Sequence, residues 1–409
     1  MRILILSPWL PFPPEFGGGI RVYELIKNLA RNHHVTLLTY AEAGQEARIA
    51  PLQELCKAVH TVLPSQSSDT SQGKRSQQLA ALFSTASYQH RSTYTPQMQA
   101  AIDALLAKEE FDIVQVEFSQ MGAFNFKTKA VVVLDEHNLE YELLYRTHCS
   151  ERSPVRKLYN GLEYVKFRSE EQRTWRKVDA CLLTSQREEE ILHGVLPKKP
   201  TAVVPNGVDI EKFKATRETQ VNPDSIVFTG LMKYRPNIDG VVFFVKEVLP
   251  HILKVRPSVV FSIVGQGPTE EIQRLAGPNV VVTGRVPEVG PYLNQAAAIV
   301  VPLRMGSGTR LKVLEALAMG KAMVSTSLGC EGIHVQSGKH LLIADDPVQF
   351  AQNVLQILDD PTLAECIGQN ARTLAEGEYS WANITADLEK FYTRLLYRPE
   401  LTEQLSPCK

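Results

Sequence analysis

The sequence predicts an α/β protein of two domains, each built on a parallel, doubly wound sheet. Three observations predict it. The chain has 409 residues, and about 100–200 residues per domain is usual. Short runs of Val, Ile and Leu alternate with helical patterns, the βαβ signature of a parallel sheet. The alternation fills both halves, which meet at the strand-to-turn segment Val203-Val204-Pro205-Asn206-Gly207.

The elements follow in order. Ile3–Leu6 is a run of branched apolar residues, as in a strand covered on both faces. A Pro-rich turn and the loop Gly17-Gly18-Gly19 lead to a helical pattern over Ile20–Ala30, and Val35–Thr39 is the next strand. Residues 64–76 are polar and read as a loop or mobile insertion. Helical patterns run on to Leu106. Strands follow at Ile113–Val116 and Val131–Leu134, helices across 139–177, and a strand at Ala180–Thr184. The second half carries strands near 226–229, 259–264, 280–283, 298–302, 322–326 and 341–343. The segment Trp381–Tyr397 is amphipathic, with Ile384, Leu388, Phe391 and Leu395 on one face. The domains are therefore placed at 1–200 and 201–380, with 381–409 as a closing helical segment.

Composition narrows the function. Apolar residues are 44% and charged residues 22% of the chain, and the formal net charge is -1. That balance is ordinary for a globular protein and gives no electrostatic reason for a nucleic-acid partner. The six cysteines form no CxxC pair and no zinc spacing, so free thiols in a reducing cytosol are expected and no metal site is predicted. The apolar start stops at Pro8, too short for a signal peptide. No window of about 18 apolar residues suggests a spanning helix.

The most informative segment runs from Val300 to Gly320. A buried strand ends at Pro302, a loop of small residues follows, and a helix is expected to open near Gly308 and stop at Gly320. Unpaired N–H groups and the helix dipole favour a diphosphate at such a helix start. Gly306 and Gly308 allow close backbone approach, and Arg310 and Lys312 add cations. Helical spacing sets Gly308, Lys312 and Glu315 on one face, with Leu314 and Leu317 on the core side. Glu315 is suited to accept ribose hydroxyls. An ordinary amphipathic helix with an exposed Glu and Lys would show the same spacing.

Together with Asn206-Gly207-Val208-Asp209, Val264-Gly265-Gln266-Gly267-Pro268 and Thr283-Gly284-Arg285-Val286, this segment resembles the retaining glycosyltransferases of family 4. The match in order and spacing covers nearly the whole chain, and GSGTRLKVLEAL is similar to members associated with exopolysaccharide biosynthesis. The resemblance implies the GT-B fold: two Rossmann-like domains facing across a cleft, the second holding the nucleotide, and the helix of 381–409 crossing back to the first, with no metal and no cofactor. It implies a donor-binding set of Gly18, Gly19, Gly230, Lys233, Gly284, Arg285, Val286, Ser307, Gly308, Thr309, Leu311 and Glu315. It also implies His137, Arg310 and Lys312 as the catalytic residues. Two positions depart from the family pattern: Ser307 stands where a Glu is usual, and Leu231 where an Arg is usual. Diphosphate charge then falls to Arg310 and Lys312, with Arg304 or Lys233 as helpers.

In the first half, Asp135-Glu136-His137-Asn138 follows a strand, where loops line ligand sites. His137 resembles the family histidine that contacts the donor sugar; a histidine bonded only to its neighbours is the plainer alternative. Asp135 and Glu136 are adjacent on a strand and point to opposite faces, which argues against a paired-carboxylate hydrolase. Arg173 matches a basic position of the family and reads equally as a surface charge. Residues 146–177 hold nine Arg/Lys and four Asp/Glu. They suit a solvated helical surface or a peripheral contact with the inner face of a membrane, with Tyr141, Tyr145, Tyr159, Tyr164, Phe167 and Trp175 interspersed.

The expected activity is transfer of a hexose-type sugar from a UDP- or GDP-type nucleotide sugar to a saccharide, lipid-linked or small-molecule hydroxyl. The alternatives are a non-catalytic sugar-nucleotide-binding subunit, which Ser307 motivates, and a GT-B epimerase or phosphorylase.

Overall fold

In the computed structural model, residues 1–64, 84–151, 153–215, 220–306 and 308–397 are described. The chain divides into two compact units. The first comprises Met1–Pro205 together with Thr385 onward, and the second is Asn206–Ile384. Each is a parallel sheet with helices, as the alternating apolar runs require.

Among the described residues, the first unit has seven strands: β1 (Arg2–Ser7), β2 (His34–Tyr40), β3 (Ala58–Val62), β4 (Ile113–Glu117), β5 (Val131–Asp135), β6 (Ala180–Leu183) and β7 (Thr201–Val203). They lie in the order β3-β2-β1-β4-β5-β6-β7, so the winding reverses between β1 and β4. Every residue of β4 is buried, and β1 is buried after Arg2, which accounts for their continuous Val/Ile/Leu character. Strand β3 escaped the sequence reading. Its AVHTV is half-exposed at the sheet edge and has no apolar run. The polar insertion expected at 64–76 lies, from residue 65, outside the described residues.

The described residues of the second unit form six strands: β8 (Asn222–Thr229), β9 (Val260–Val264), β10 (Val280–Gly284), β11 (Ala296–Val301), β12 (Met323–Ser325) and β13 (Leu342–Ile343). Their order is β10-β9-β8-β11-β12-β13, with the reversal between β8 and β11. In both units that reversal marks where loops part to either side of the sheet and leave a place for a ligand.

Two helix starts differ from expectation. Gly17–Gly19 is no loop; it is the first turn of the helix Gly17–Leu29, entered from an extended Phe16. The helix expected from Gly308 begins at Leu311 with Arg310 as its N-cap. Gly306 and Gly308 have φ of +117° and +77°, and left-handed residues cannot belong to a right-handed helix. The helix does stop at Gly320 (φ +61°), whose N–H donates to the Leu317 carbonyl.

The closing helix spans Trp381–Leu396. Ile384, Leu388, Phe391 and Leu395 are buried, as the pattern predicts, and Tyr392 is fully buried with them. Within the first unit, Glu389 bonds His33 Nε2 at 3.1 Å and Asn32 at 3.2 Å, and the Tyr392 hydroxyl donates to Gln115. The opening and closing segments of the second unit run side by side: the Val208 N–H donates to the Tyr379 carbonyl at 2.8 Å. Among the described residues, no helix is long and apolar enough to cross a membrane, and five cysteines are free thiols.

Candidate functional site

In the first unit, chemistry gathers where the sheet reverses. Strands β4 and β5 are in register so that Glu117 faces Asp135 at their carboxyl ends. His137, two residues beyond β5, places Nε2 2.7 Å from the Glu117 carboxylate. Gln115 donates its amide to the other Glu117 oxygen at 2.6 Å. Arg21, on the glycine-led helix, grips both Asp135 oxygens at 2.7 and 2.9 Å. Its remaining nitrogen reaches the Val204 and Pro205 carbonyls at 2.8 and 3.1 Å. All five side chains are buried, so each polar group needs a partner.

Burial pulls the His137 imidazole down to about 3, so the ring is neutral at physiological pH. When Glu117 is ionised, Nε2 carries the proton and Nδ1 is an acceptor. Nδ1 is buried without a hydrogen-bond partner. It faces Gly18, where a Cβ would lie 3.4 Å from Nδ1 and 2.8 Å from the Phe118 ring. Gly18 is therefore required by packing. Phe118 covers the imidazole with ring centroids 3.7 Å apart. It does so with φ of +66°, a conformation costing a bulky residue about 1–3 kcal/mol.

Glu136 points to the opposite side of the sheet from Asp135, as alternation predicts, and accepts from Trp175 Nε1 at 2.7 Å. Glu117, Asp135 and His137 offer ligand atoms within 4.8 Å of one another. Both Asp135 oxygens are held by Arg21, and an ion there would meet that guanidinium. The set is a hydrogen-bonded network and does not fit a dication.

In the second unit, four adjacent strands send glycine-bearing turns to one edge of the sheet. Gly230 follows β8, Gly265 and Gly267 follow β9, Gly284 ends β10, and Gly306 and Gly308 follow β11. The first two turns are tightly joined. A Cβ on Gly265 would fall 1.8 Å from the Gly230 carbonyl oxygen, and one on Gly230 would fall 2.8 Å from Lys312 Nζ. Lys312 donates to Asn237 at 2.8 Å and lies 3.9 Å from the centre of the Phe228 ring. Burial lowers its pKa to about 7, against the pull of Glu315. Glu315 is one turn along the same helix, and burial raises it, opposed by Lys312 and Lys212. Leu314 and Leu317 are fully buried on the other side.

Arg310 is buried and folds back to donate to the Gly308 carbonyl. Thr309 and Leu311 flank it, half-buried. Lys233 and Arg285 are exposed, with Val286 half-buried after Gly284. Arg304 does not join them: it pairs with Asp239 at 2.9 Å and stacks on Phe243, 4.4 Å from its ring centre. Ser307 lies outside the described residues. Gly19, in the first unit, packs on the Phe16 ring.

The sequence reading missed Arg21, Gln115, Glu117, Asn237 and Tyr392. One trace was visible: IVQVE and VVVLD both end on a carboxylate. Joining them needs the β4–β5 register, which no local pattern reports.

Residues 17–212 match the family described as Glycosyltransferase Family 4, and residues 223–360 match Glycosyl transferases group 1. The chain belongs to the GT-B glycosyltransferases. A 44.6 kDa uncharacterized protein in the cps region of Klebsiella pneumoniae is 23% identical over 411 residues, covering 95% of this chain and 99% of that one. A Corynebacterium glutamicum GDP-mannose-dependent mannosyltransferase, named for the acceptor monoacylated α-(1-6)-phosphatidylinositol monomannoside, is 26% identical over 203 residues. That match takes 44% of this chain and 52% of the relative. Among solved structures, sucrose-phosphate synthase of Thermosynechococcus elongatus superposes with a TM-score of 0.70 at 18% identity, over 97% of this chain and 99% of its own. HepE of Anabaena, in complex with UDP-glucose, gives 0.66 at 13% identity, over 96% and 100%. At these identities the structural likeness speaks for the fold. This GT-B family member thus has two parallel-sheet α/β domains, and its relatives include a protein of a polysaccharide locus.

Proposed function

We propose that this glycosyltransferase moves a hexose-type sugar from a nucleoside diphosphate to a hydroxyl of a saccharide or lipid-linked acceptor, with retention at the anomeric carbon. The observation that carries the proposal is the edge of the second unit. Four neighbouring turns there supply glycines, and Lys312, Arg310 and Glu315 stand at the helix that follows. Glycines let a diphosphate reach backbone N–H groups, and the helix start and two cations meet its charge. Glu315 offers a carboxylate to ribose hydroxyls.

In the step, the acceptor oxygen bonds to the anomeric carbon as the bond to the diphosphate oxygen breaks. The hydroxyl proton passes to the departing phosphate. The protein's work is positioning and stabilisation of negative charge as it grows on that phosphate. His137 is neutral, and its Nδ1, which has no hydrogen-bond partner but is closed off by Gly18 and Phe118, is suited to accept from a sugar hydroxyl once those two residues shift. Protein cations take the role that a metal fills elsewhere, so turnover should persist in excess EDTA. The Corynebacterium relative favours a lipid-linked acceptor, and the Anabaena neighbour a UDP-type donor.

The test is a panel of UDP- and GDP-sugars with candidate acceptors, read by released nucleoside diphosphate and by product mass. Lys312→Ala should abolish release. Donor binding without turnover across the panel would instead make the chain a non-catalytic sugar-nucleotide-binding subunit.

A further inference from the structure

The helices Glu140–Ser150 and Pro154–Lys177 form an antiparallel hairpin in the first unit. Their aromatic residues mostly serve the core: Phe167 and Trp175 are fully buried. The outward side is different. Val155, Leu158, Leu162 and Val165 are exposed, the first two at 80% and 77%. Their three-four-three spacing puts them on one side of the helix, a stripe about 15 Å long. The same side continues through Ser169 to Arg173 and Arg176, both exposed. Tyr145 on the neighbouring helix is also exposed and packs against Tyr164 with ring centroids 5.2 Å apart.

Charge on the long helix is sorted as sharply. Its carboxylates Glu163, Glu170 and Glu171 are all buried, whereas Arg156, Lys157, Arg168, Arg173, Arg176 and Lys177 are exposed. Water therefore meets a helix that is apolar at one end, basic along its length and free of exposed acid. We propose that this face docks on an anionic lipid bilayer surface, the valines and leucines entering the headgroup boundary and Arg173 and Arg176, on the same side, meeting lipid phosphates. A second copy of the chain fits worse, because a two-fold contact would set the same cations against one another. The proposal does not depend on the transfer chemistry.

Sedimentation of the full chain with vesicles tests it. Binding to phosphatidylcholine containing 30% phosphatidylglycerol should exceed binding to pure phosphatidylcholine at least tenfold, and 0.5 M salt should weaken it. Arg173→Gln with Arg176→Gln should cost about fivefold per cation. Leu158→Glu with Val165→Glu should remove binding at least tenfold while melting temperature and nucleoside diphosphate binding stay unchanged. A polarity-sensitive dye at Leu158→Cys, with Cys149, Cys366 and Cys408 changed to Ser, should shift to the blue on anionic vesicles. Equal binding to both lipids, no binding, or no dye shift would overturn the proposal. So would a dimer in sedimentation velocity that Leu158→Glu dissolves.

Discussion

Replacing Glu117 by glutamine keeps the shape of the side chain and removes its titration. Burial pushes the Glu117 carboxyl from 4.5 up to about 7, opposed by Arg21 and by the Gln115 hydrogen bond. A folded value above the unfolded one means that the native protein holds a proton the unfolded chain releases between those pH values. The associated stability is complete below pH 4.5 and is lost as pH rises through 7. The interval corresponds to about 3 kcal/mol. Glu117→Gln should not suffer that loss, so its stability relative to the parent should improve by about that amount between pH 5 and pH 8. Urea unfolding followed by tryptophan fluorescence at four pH values reads it directly. The same proton sets His137. Above pH 7 the carboxylate accepts from Nε2 and Nδ1 is bare; below it the carboxyl donates to Nε2 and the ring proton sits on Nδ1. If Nδ1 must accept from a sugar hydroxyl, parental transfer should rise through pH 7. The variant's amide donates to Nε2 at every pH, so its activity should be low and flat. One reversed buried hydrogen bond costs about 1–3 kcal/mol, a loss of roughly 5- to 150-fold. A stability difference that does not change with pH would refute the reasoning about burial, whatever the activity does.

Other perturbations follow from the same geometry. Gly18→Ala drives a methyl into Phe118 and against His137, and should cut kcat at least tenfold with little change in nucleoside diphosphate affinity, measured by calorimetry. Glu315→Gln should weaken donor binding at least tenfold without shifting the melting temperature; unchanged affinity would remove Glu315 from the ribose. Because burial holds Lys312 near 7, diphosphate binding at pH 8 should take up protons, visible as a heat that depends on the buffer, and Lys312→Ala should abolish that dependence. Tyr392→Phe strands the Gln115 carbonyl in a buried site, and should destabilise the first unit by about 1–3 kcal/mol in urea.

The parts of this molecule that obey local rules were legible in its sequence. Strands β1, β4, β5 and β9 announce themselves as buried apolar runs, and the face of the closing helix is right to the residue. Helix starts were read late at Gly17 and early at Gly308, for opposite reasons. Glycine carries no signal of whether it opens a helix or refuses one; that is decided by φ, and φ at Gly308 is set by the turn from β11. His137 could be singled out because it follows a strand. Glu117 could not be joined to it, because pairing across parallel strands depends on a register fixed by the whole sheet. Asn237 and Gly230 reach Lys312 in the same way, from turns that the sequence keeps 75 and more residues away.

The first unit takes its final helix from the far end of the chain, and this matters for how the protein is made. Synthesis delivers Gln115, Glu117 and Arg21 early, but Leu388, Phe391, Tyr392 and Leu395 emerge only after all of Asn206–Ile384 has been translated. At about 5–20 residues per second that interval is on the order of 10 s or more. Throughout it the groove that will hold the last helix stays open, with apolar side chains and the Gln115 amide exposed. The second unit meets no such delay and can fold as soon as it leaves the ribosome. Released chains truncated after Ile384 should therefore carry a second unit closed to protease beside a first unit that is still cut, and they should be the species a chaperone holds.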